Sequence, residues 1–350
     1  MSRYALSFLM LIILLGGCAQ GKFGSALQDR TEGQENLTRG ELRQKAATLQ
    51  QAVKKNPASA TVNFSYGRVL LATHQPRQAL PYLEKAVVLD PDNAVYLFWL
   101  GVAYGENNKP AQERASYERA LQHDKNYVQA LIYLGNNYLN AKAFEPALHC
   151  YQRALAIDQT NAQALYNRAI IFKHLHQTAE EKLAWRLYLE SYSSGEMARM
   201  AADHLNLLDD FSYRNHHLGI RTVTLPAIAF TPFTAELTPT AQAALDQIGT
   251  TVSQLKKGNL DILVYRKNNR DLAYRQALSI KKYLENRYQG LKAEKRIRLS
   301  WFDIAEKRKL AGRTALIDDS VVFFLSELPG QMTNMIKKKG KTSKKRSKLK

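Results

Sequence analysis

Cysteine is nearly absent from this chain: its 350 residues hold two, Cys18 and Cys150. That excludes a disulfide framework and the multi-cysteine zinc sites. The motifs of common catalysis are missing too. There is no Gly-rich loop closing on Gly-Lys-Ser/Thr, no His-Glu-x-x-His and no Gly-x-Ser-x-Gly elbow, so phosphate-cradling, zinc-protease and hydrolase chemistries lack their usual residues. His174 and His176 stand two apart on a helical stretch and face different ways, and His216-His217 falls between regular segments. They read as solvated or structural histidines. No metal, cofactor or catalytic residue is expected, and an enzyme is the least supported class. Long apolar runs are also lacking. The longest, Ala5 to Leu15 with Ser7 inside it, spans about 16 Å as a helix, too short for a bilayer core of about 30 Å.

Acids are absent from residues 337–350, which carry eight Lys and one Arg and supply +9 of a formal net charge of +19. Residues 211–336 add most of the remainder, and everything before them is close to neutral. Such a balance suits nucleic acid, anionic lipid or lipopolysaccharide by charge alone, and the compartment decides between them. Arg3, the short apolar run and Leu15-Gly16-Gly17-Cys18 have the anatomy of a secretion signal. The last four residues resemble the lipobox of bacterial lipoproteins. That resemblance implies cleavage before Cys18, acylation of its thiol and, with Ala19 next, delivery to the outer membrane facing the periplasm. A secreted chain leaves no role for nucleic acid. The basic tail, 331–350, is Gly/Ser/Thr/Lys-rich and expected to be disordered, with lipid headgroups or lipopolysaccharide as its possible contacts. Cys150, the remaining thiol, sits beside Tyr151 on a helix and reads as a small half-buried side chain.

Internal periodicity is the strongest signal in the chain. Gly67, Gly101 and Gly135 are 34 residues apart, with Ala169 at the next step. Ala86, Ala120, Ala154 and Tyr188 form a second column, Leu83, Tyr117, Tyr151 and Trp185 a third, and Leu70, Tyr104, Tyr138 and Phe172 a fourth. Small residues at one period mark places where two helices approach closely, and the large ones fill the space beside them. The columns resemble the tetratricopeptide repeat, a helix–turn–helix unit of this length. Full repeats are expected at 60–93, 94–127, 128–161 and 162–195, inside a solenoid spanning 40–210 that begins with a leading helix at 40–58 and ends with a capping helix at 196–209. A linker, 18–39, joins it to the lipidated end. Pro76 and Pro110 fall at starts of second helices, where a missing N–H costs nothing. The resemblance places a protein-binding groove along the first helices, with Phe64, Phe98, Ile132 and Tyr166 as one column and Arg68, Val102, Asn136 and Ile170 as the next. An apolar and aromatic strip flanked by polar groups suits a docked peptide.

After Phe211 the pattern changes. Alternation at Ile220–Leu225, helical spacing over 238–256, an apolar run at Leu260–Tyr265, helical spacing over 270–288, and strands at Arg296–Phe302 and Val321–Leu325 predict a βαβαβ order with a further strand. The overall class is thus mostly α, a helical solenoid followed by an α+β domain at 211–330. Phe230-Thr-Pro-Phe-Thr-Ala-Glu-Leu-Thr-Pro and Asn269-Arg-Asp-Leu-Ala-Tyr-Arg-Gln resemble the OmpA-like domain of bacterial envelope proteins. That family holds a peptidoglycan stem-peptide carboxylate with an Asp in the loop after its second strand and an Arg on the next helix. Here the loop is Val264-Tyr-Arg-Lys-Asn268, without an acid, and Gln276 stands at the Arg position. The family's basic pair before the last strand becomes Asp318-Asp319. A neutral amide cannot replace a bidentate Arg clamp, so Arg266, Lys267 and Gln276 mark a degenerate ligand site and peptidoglycan is a doubtful partner. The expectation from the whole sequence is an outer-membrane-anchored periplasmic scaffold that binds envelope proteins through the repeat groove and serves a pilus or secretion machine. A peptidoglycan tether and an adaptor for a periplasmic protease are the alternatives.

Overall fold

The side chains that alternate small and large every 34 residues build a stack of antiparallel helix pairs. A computed structural model describes residues 38–255 and 258–326; the expected signal peptide, Cys18, most of the 18–39 linker and the basic tail lie outside them. Leading helix α1 (Arg39–Lys55) precedes α2 (Ala60–Ala72), α3 (Pro76–Leu89), α4 (Ala94–Glu106), α5 (Pro110–His123), α6 (Val128–Asn140), α7 (Phe144–Ile157) and α8 (Ala162–His174). Ser59, Asn93 and Asn161 cap α2, α4 and α8 through side-chain oxygens, each satisfying backbone N–H groups that a helix start leaves orphaned. Pro76 and Pro110 open α3 and α5, as expected. After each first helix one residue is left-handed: His74, Asn108, Lys142 and His176, at φ 56–58°, again 34 apart. The amide after it bonds back five residues, Gln75 to Leu70, Lys109 to Tyr104 and Ala143 to Tyr138, at 2.8–2.9 Å. This closes α2, α4 and α6 as a Schellman turn does.

The small-residue column works as close packing. A Cβ at Gly67 would lie 2.6 Å from Leu83 Cγ, one at Gly135 2.9 Å from Tyr151 Cε1, and one at Gly101 would run into the Tyr117 ring. Leu83, Tyr117 and Tyr151 are fully buried in return.

The chain divides into two compact units at Leu175, inside the fourth repeat and well before the composition changes at Phe211. The second unit therefore starts with α9 (Thr178–Ser191) and α10 (Gly195–Leu207), followed by β1 (Tyr213–Leu218), β2 (Arg221–Pro226), α11 (Pro239–Ser253), β3 (Asn259–Arg266), α12 (Arg270–Arg287), α13 (Gln289–Ala293), β4 (Ile297–Phe302), β5 (Glu306–Leu310), β6 (Arg313–Ile317) and β7 (Asp319–Ser326). Strand β3 is central, parallel to β4 and antiparallel to β7. Its alternate residues Leu260, Ile262 and Val264 join Ile248 and Val252 of α11, Ile280 and Leu284 of α12, and Phe323 of β7 in one buried core. Two hairpins were not anticipated as strands, β1–β2 in its first half and β5–β6 altogether. Polar bonds fasten α10 to the first: Asn206 Nδ2 donates to Tyr213 O at 2.8 Å, and Asn215 Nδ2 to Arg199 O and to Asp203 Oδ1, both at 2.9 Å.

Gly135→Ala should lower stability by about 1–3 kcal/mol, the usual cost of overpacking a filled core. Tyr151 cannot swing aside cheaply, because its hydroxyl donates to Asn136 Oδ1 at 2.6 Å and accepts from Asn167 Nδ2 at 3.0 Å. The urea midpoint measures it.

Candidate functional site

The first helices do not offer the apolar strip expected of them. Phe64, Phe98, Ile132 and Tyr166 are 9, 3, 4 and 4% exposed, and Val102 is buried as well. The reason is visible in α4, which buries eight consecutive residues from Tyr96 to Ala103. A first helix is flanked by neighbours on most of its circumference, so the column serves as packing. The Phe98 ring lies 5.1–5.7 Å from those of Trp99, Tyr117, Tyr127 and Tyr133, within the range of favourable aromatic pairing. The second column keeps more surface, with Arg68, Asn136 and Ile170 half-buried. The Arg68 guanidinium rests 4.5 Å above Trp99 and 5.5 Å from Phe64. Asn136 Oδ1 accepts from both Tyr151 and Asn167. Further out, at the starts of the first helices, Thr61 and Val95 are exposed and Gln129 and Gln163 half-buried. These four also recur every 34 residues.

A second feature lies wholly within the sheet-bearing unit. A cavity of about 540 Å³ opens between the segment 227–233, the end of β3, the start of α12 and the start of β7. The residues singled out from the sequence meet there. Arg266 Nε donates to Gln276 Oε1, Arg266 Nη1 to the Tyr265 carbonyl at 2.9 Å, and Gln276 Nε2 to the Thr234 carbonyl at 2.8 Å. A guanidinium carried on the strand thus stands beside the helix amide. Arg266 is buried, 5.5 Å from the centre of the Phe230 ring, and its Nη1 is 3.8 Å from Asp319 at the rim. Lys267 is exposed and paired with Asp318 at 3.2 Å. Burial lowers the Arg266 pKa, and Asp319 partly offsets this. Among the described residues no group of His, Cys, Asp and Glu could hold a metal ion.

The sequence reading missed Arg214, which lines the same cavity. Strand β1 alternates so that Arg214, His216 and Leu218 point inward; with charged and imidazole side chains on that face, apolar spacing gave no signal. Arg214 Nη2 pairs with Glu306 Oε1 at 2.6 Å, with the two side chains 3 and 10% exposed. Ser320 Oγ donates to Glu306 Oε2 at 2.6 Å. Burial raises the Glu306 pKa, but Arg214, Ser320 and Arg308 outweigh it and hold the carboxyl below its ordinary value. The His216 pKa is lowered as well, which for an imidazole favours the neutral form. Burial first, then the Arg214 and Arg308 cations and His217, pull its imidazole down to about 3, while its Nδ1 accepts from Phe323 N at 3.4 Å.

The unfolded chain therefore protonates His216 before the folded one does, and stability falls as pH drops from about 6.5 toward about 3. Between pH 6.5 and 4.5 the loss should be on the order of 2–3 kcal/mol, at about 1.4 kcal/mol per unit. His216→Asn keeps an acceptor for Phe323 N and should flatten that slope. Melting temperature against pH for both proteins checks it.

Three tetratricopeptide-repeat family models match the chain, at residues 67–128, 128–161 and 150–182. No curated protein sequence matches it. Solved structures with a similar fold include MamA, with 20% identity, 44% of this chain and 90% of that one covered, and a TM-score of 0.42. YrrB, described as a TPR protein with an unusual peptide-binding site, gives 19%, 48%, 84% and 0.42 for the same measures. PilF of Pseudomonas aeruginosa gives 18%, 49%, 79% and 0.45. Residues 67–182 are thus a tetratricopeptide-repeat array, in a mostly helical chain that ends in a small sheet-bearing region.

Proposed function

We propose that this chain is a scaffold or adaptor that holds protein partners along the first-helix side of its repeat array. The observation that carries the reading is the array itself. Each repeat contacts its neighbours, and the regular stack presents equivalent positions at fixed intervals, which suits an extended partner. With the apolar column consumed by packing, recognition falls to the polar and half-buried groups, Arg68 and Asn136, and to the outer series Thr61, Val95, Gln129 and Gln163. The lipobox-like Leu-Gly-Gly-Cys18 supports an outer-membrane anchor, with the array in the periplasm. Assembly of an envelope machine such as a pilus or secretion system is the work proposed for it there.

A photo-crosslinking amino acid placed in turn at Thr61, Val95, Gln129 and Gln163 in the full chain should give the same partner band at two or more of these positions. Placed at Lys85 and Arg119, exposed on the second helices, it should not. Equal crosslinking from both series, or none from the first, contradicts the groove reading. In parallel, Cys18→Ser should abolish acyl labelling and release the chain from the outer-membrane fraction. Unchanged labelling and fractionation contradict the anchor.

A further inference from the structure

From the incompletely bonded guanidinium at the wall of the 540 Å³ cavity, we infer that the sheet-bearing unit is a receptor for a monoanionic carboxylate attached to an apolar body, with Arg214 and Arg266 as its anion-binding groups. Arg214 is the leading observation. Its side chain is 3% exposed, and only Nη2 has a partner, Glu306; Nε and Nη1 are buried with none. Guanidinium donors withdrawn from water and left unbonded cost free energy that a bound acceptor would restore.

Arg266 supplies a second cation on the same cavity. Gln276 and the Tyr265 carbonyl fix it in place, so little side-chain entropy remains to be lost on binding. Glu306 neutralises one positive charge. The acid nearest Arg266, Asp319, is largely exposed and 3.8 Å away, so it screens the second charge weakly. About one positive charge remains for the ligand to meet. Ile228, Phe230, Leu272, Ile317 and Val321 complete the wall, and Phe233, 93% exposed and left-handed at φ 60°, stands at the lip. Apolar walls with a few convergent polar groups at one end select a ligand that is itself apolar with one charged terminus. The one acid in the described lining, Asp319, stands largely exposed at the rim, where water screens it, so the interior of the cavity holds no acid to favour an ammonium on the ligand.

Two sources present this chemistry: the C-terminal carboxylate of a peptide ending in an apolar residue, and a free apolar carboxylic acid. Titration of the full-length chain in about 0.15 M salt, where long-range attraction to the basic tail is largely screened, separates them. The probes are acetyl-Ala-Phe with a free carboxylate, the same dipeptide as its C-terminal amide, 3-phenylpropanoate, and diaminopimelate. At least one carboxylate probe should bind saturably, with the dipeptide amide at least tenfold weaker than the dipeptide acid if the peptide is bound. Preference for the dipeptide identifies a chain terminus as the source, and preference for 3-phenylpropanoate a free acid. Arg266→Met should weaken the preferred probe at least tenfold. Because that residue is buried, a second variant, Ala227→Trp, tests the site from an exposed wall position. It should block binding while melting temperature and far-UV circular dichroism stay at wild type. The proposal is overturned if neither carboxylate binds, if the amide binds as well as the acid, if Ala227→Trp leaves binding intact, or if diaminopimelate binds more tightly than both.

Discussion

The buried Arg214–Glu306 pair is the constraint on which the sheet-bearing unit depends. It joins residues 92 positions apart and draws β1, β5 and, through Ser320, β7 to one point. Two charges taken out of water cost several kcal/mol each, and only close geometry with further hydrogen bonds repays that. Glu306 has that geometry, with both oxygens bonded. Arg214 does not, since two of its nitrogens remain unbonded. The unit therefore keeps one well-held carboxylate and one incompletely held guanidinium, and the incompletely held group is the one on the cavity wall. The same pair shapes its surroundings, because the Arg214 cation helps keep His216 neutral.

The repeat array rests on steric economy. Each close approach of two helices needs a residue without a side chain opposite one with a large ring or branched chain, as at Gly101 with Tyr117 and Gly135 with Tyr151. Such requirements recur with the repeat, so they are written directly into the sequence, and the helix pairs, their proline starts and their 34-residue step were all legible there. What the spacing could not reveal is which side of a first helix stays open. Phe98 and Tyr166 occupy positions that the repeat resemblance assigns to the groove, yet α4 buries Tyr96 to Ala103 and α8 buries Ala164 to Asn167, which makes both side chains interior. The amphipathic pattern of a helix tells how much of it is covered only when its neighbours leave a polar face, and Tyr96 to Ala103 leaves none.

In the second unit the legible elements were those built from apolar residues: β3, β4, β7, α11 and α12 appear close to where alternation and helical spacing put them. The β5–β6 hairpin, Glu306-Lys-Arg-Lys-Leu310 and Arg313-Thr-Ala-Leu-Ile317, escaped because charge alternation carries no signature of burial. Strand β1 escaped for the same reason, with Arg214 and His216 on its inner face. The lining of the cavity was half legible. Gln276 and Arg266 were singled out by comparison with a family pattern, and the structure brings them into direct contact; the guanidinium that matters most came from outside that pattern. The cavity lies wholly within the second unit.

A double-mutant cycle on Arg214 and Glu306 tests the central interaction most directly. Arg214→Met or Glu306→Leu alone leaves a buried charge without its partner and should cost about 3–5 kcal/mol in urea denaturation. Replacing both removes both charges together, so the double variant should be more stable than either single one, with a coupling energy of at least about 2 kcal/mol. Losses that simply add, with the double variant the least stable of the three, would contradict the account.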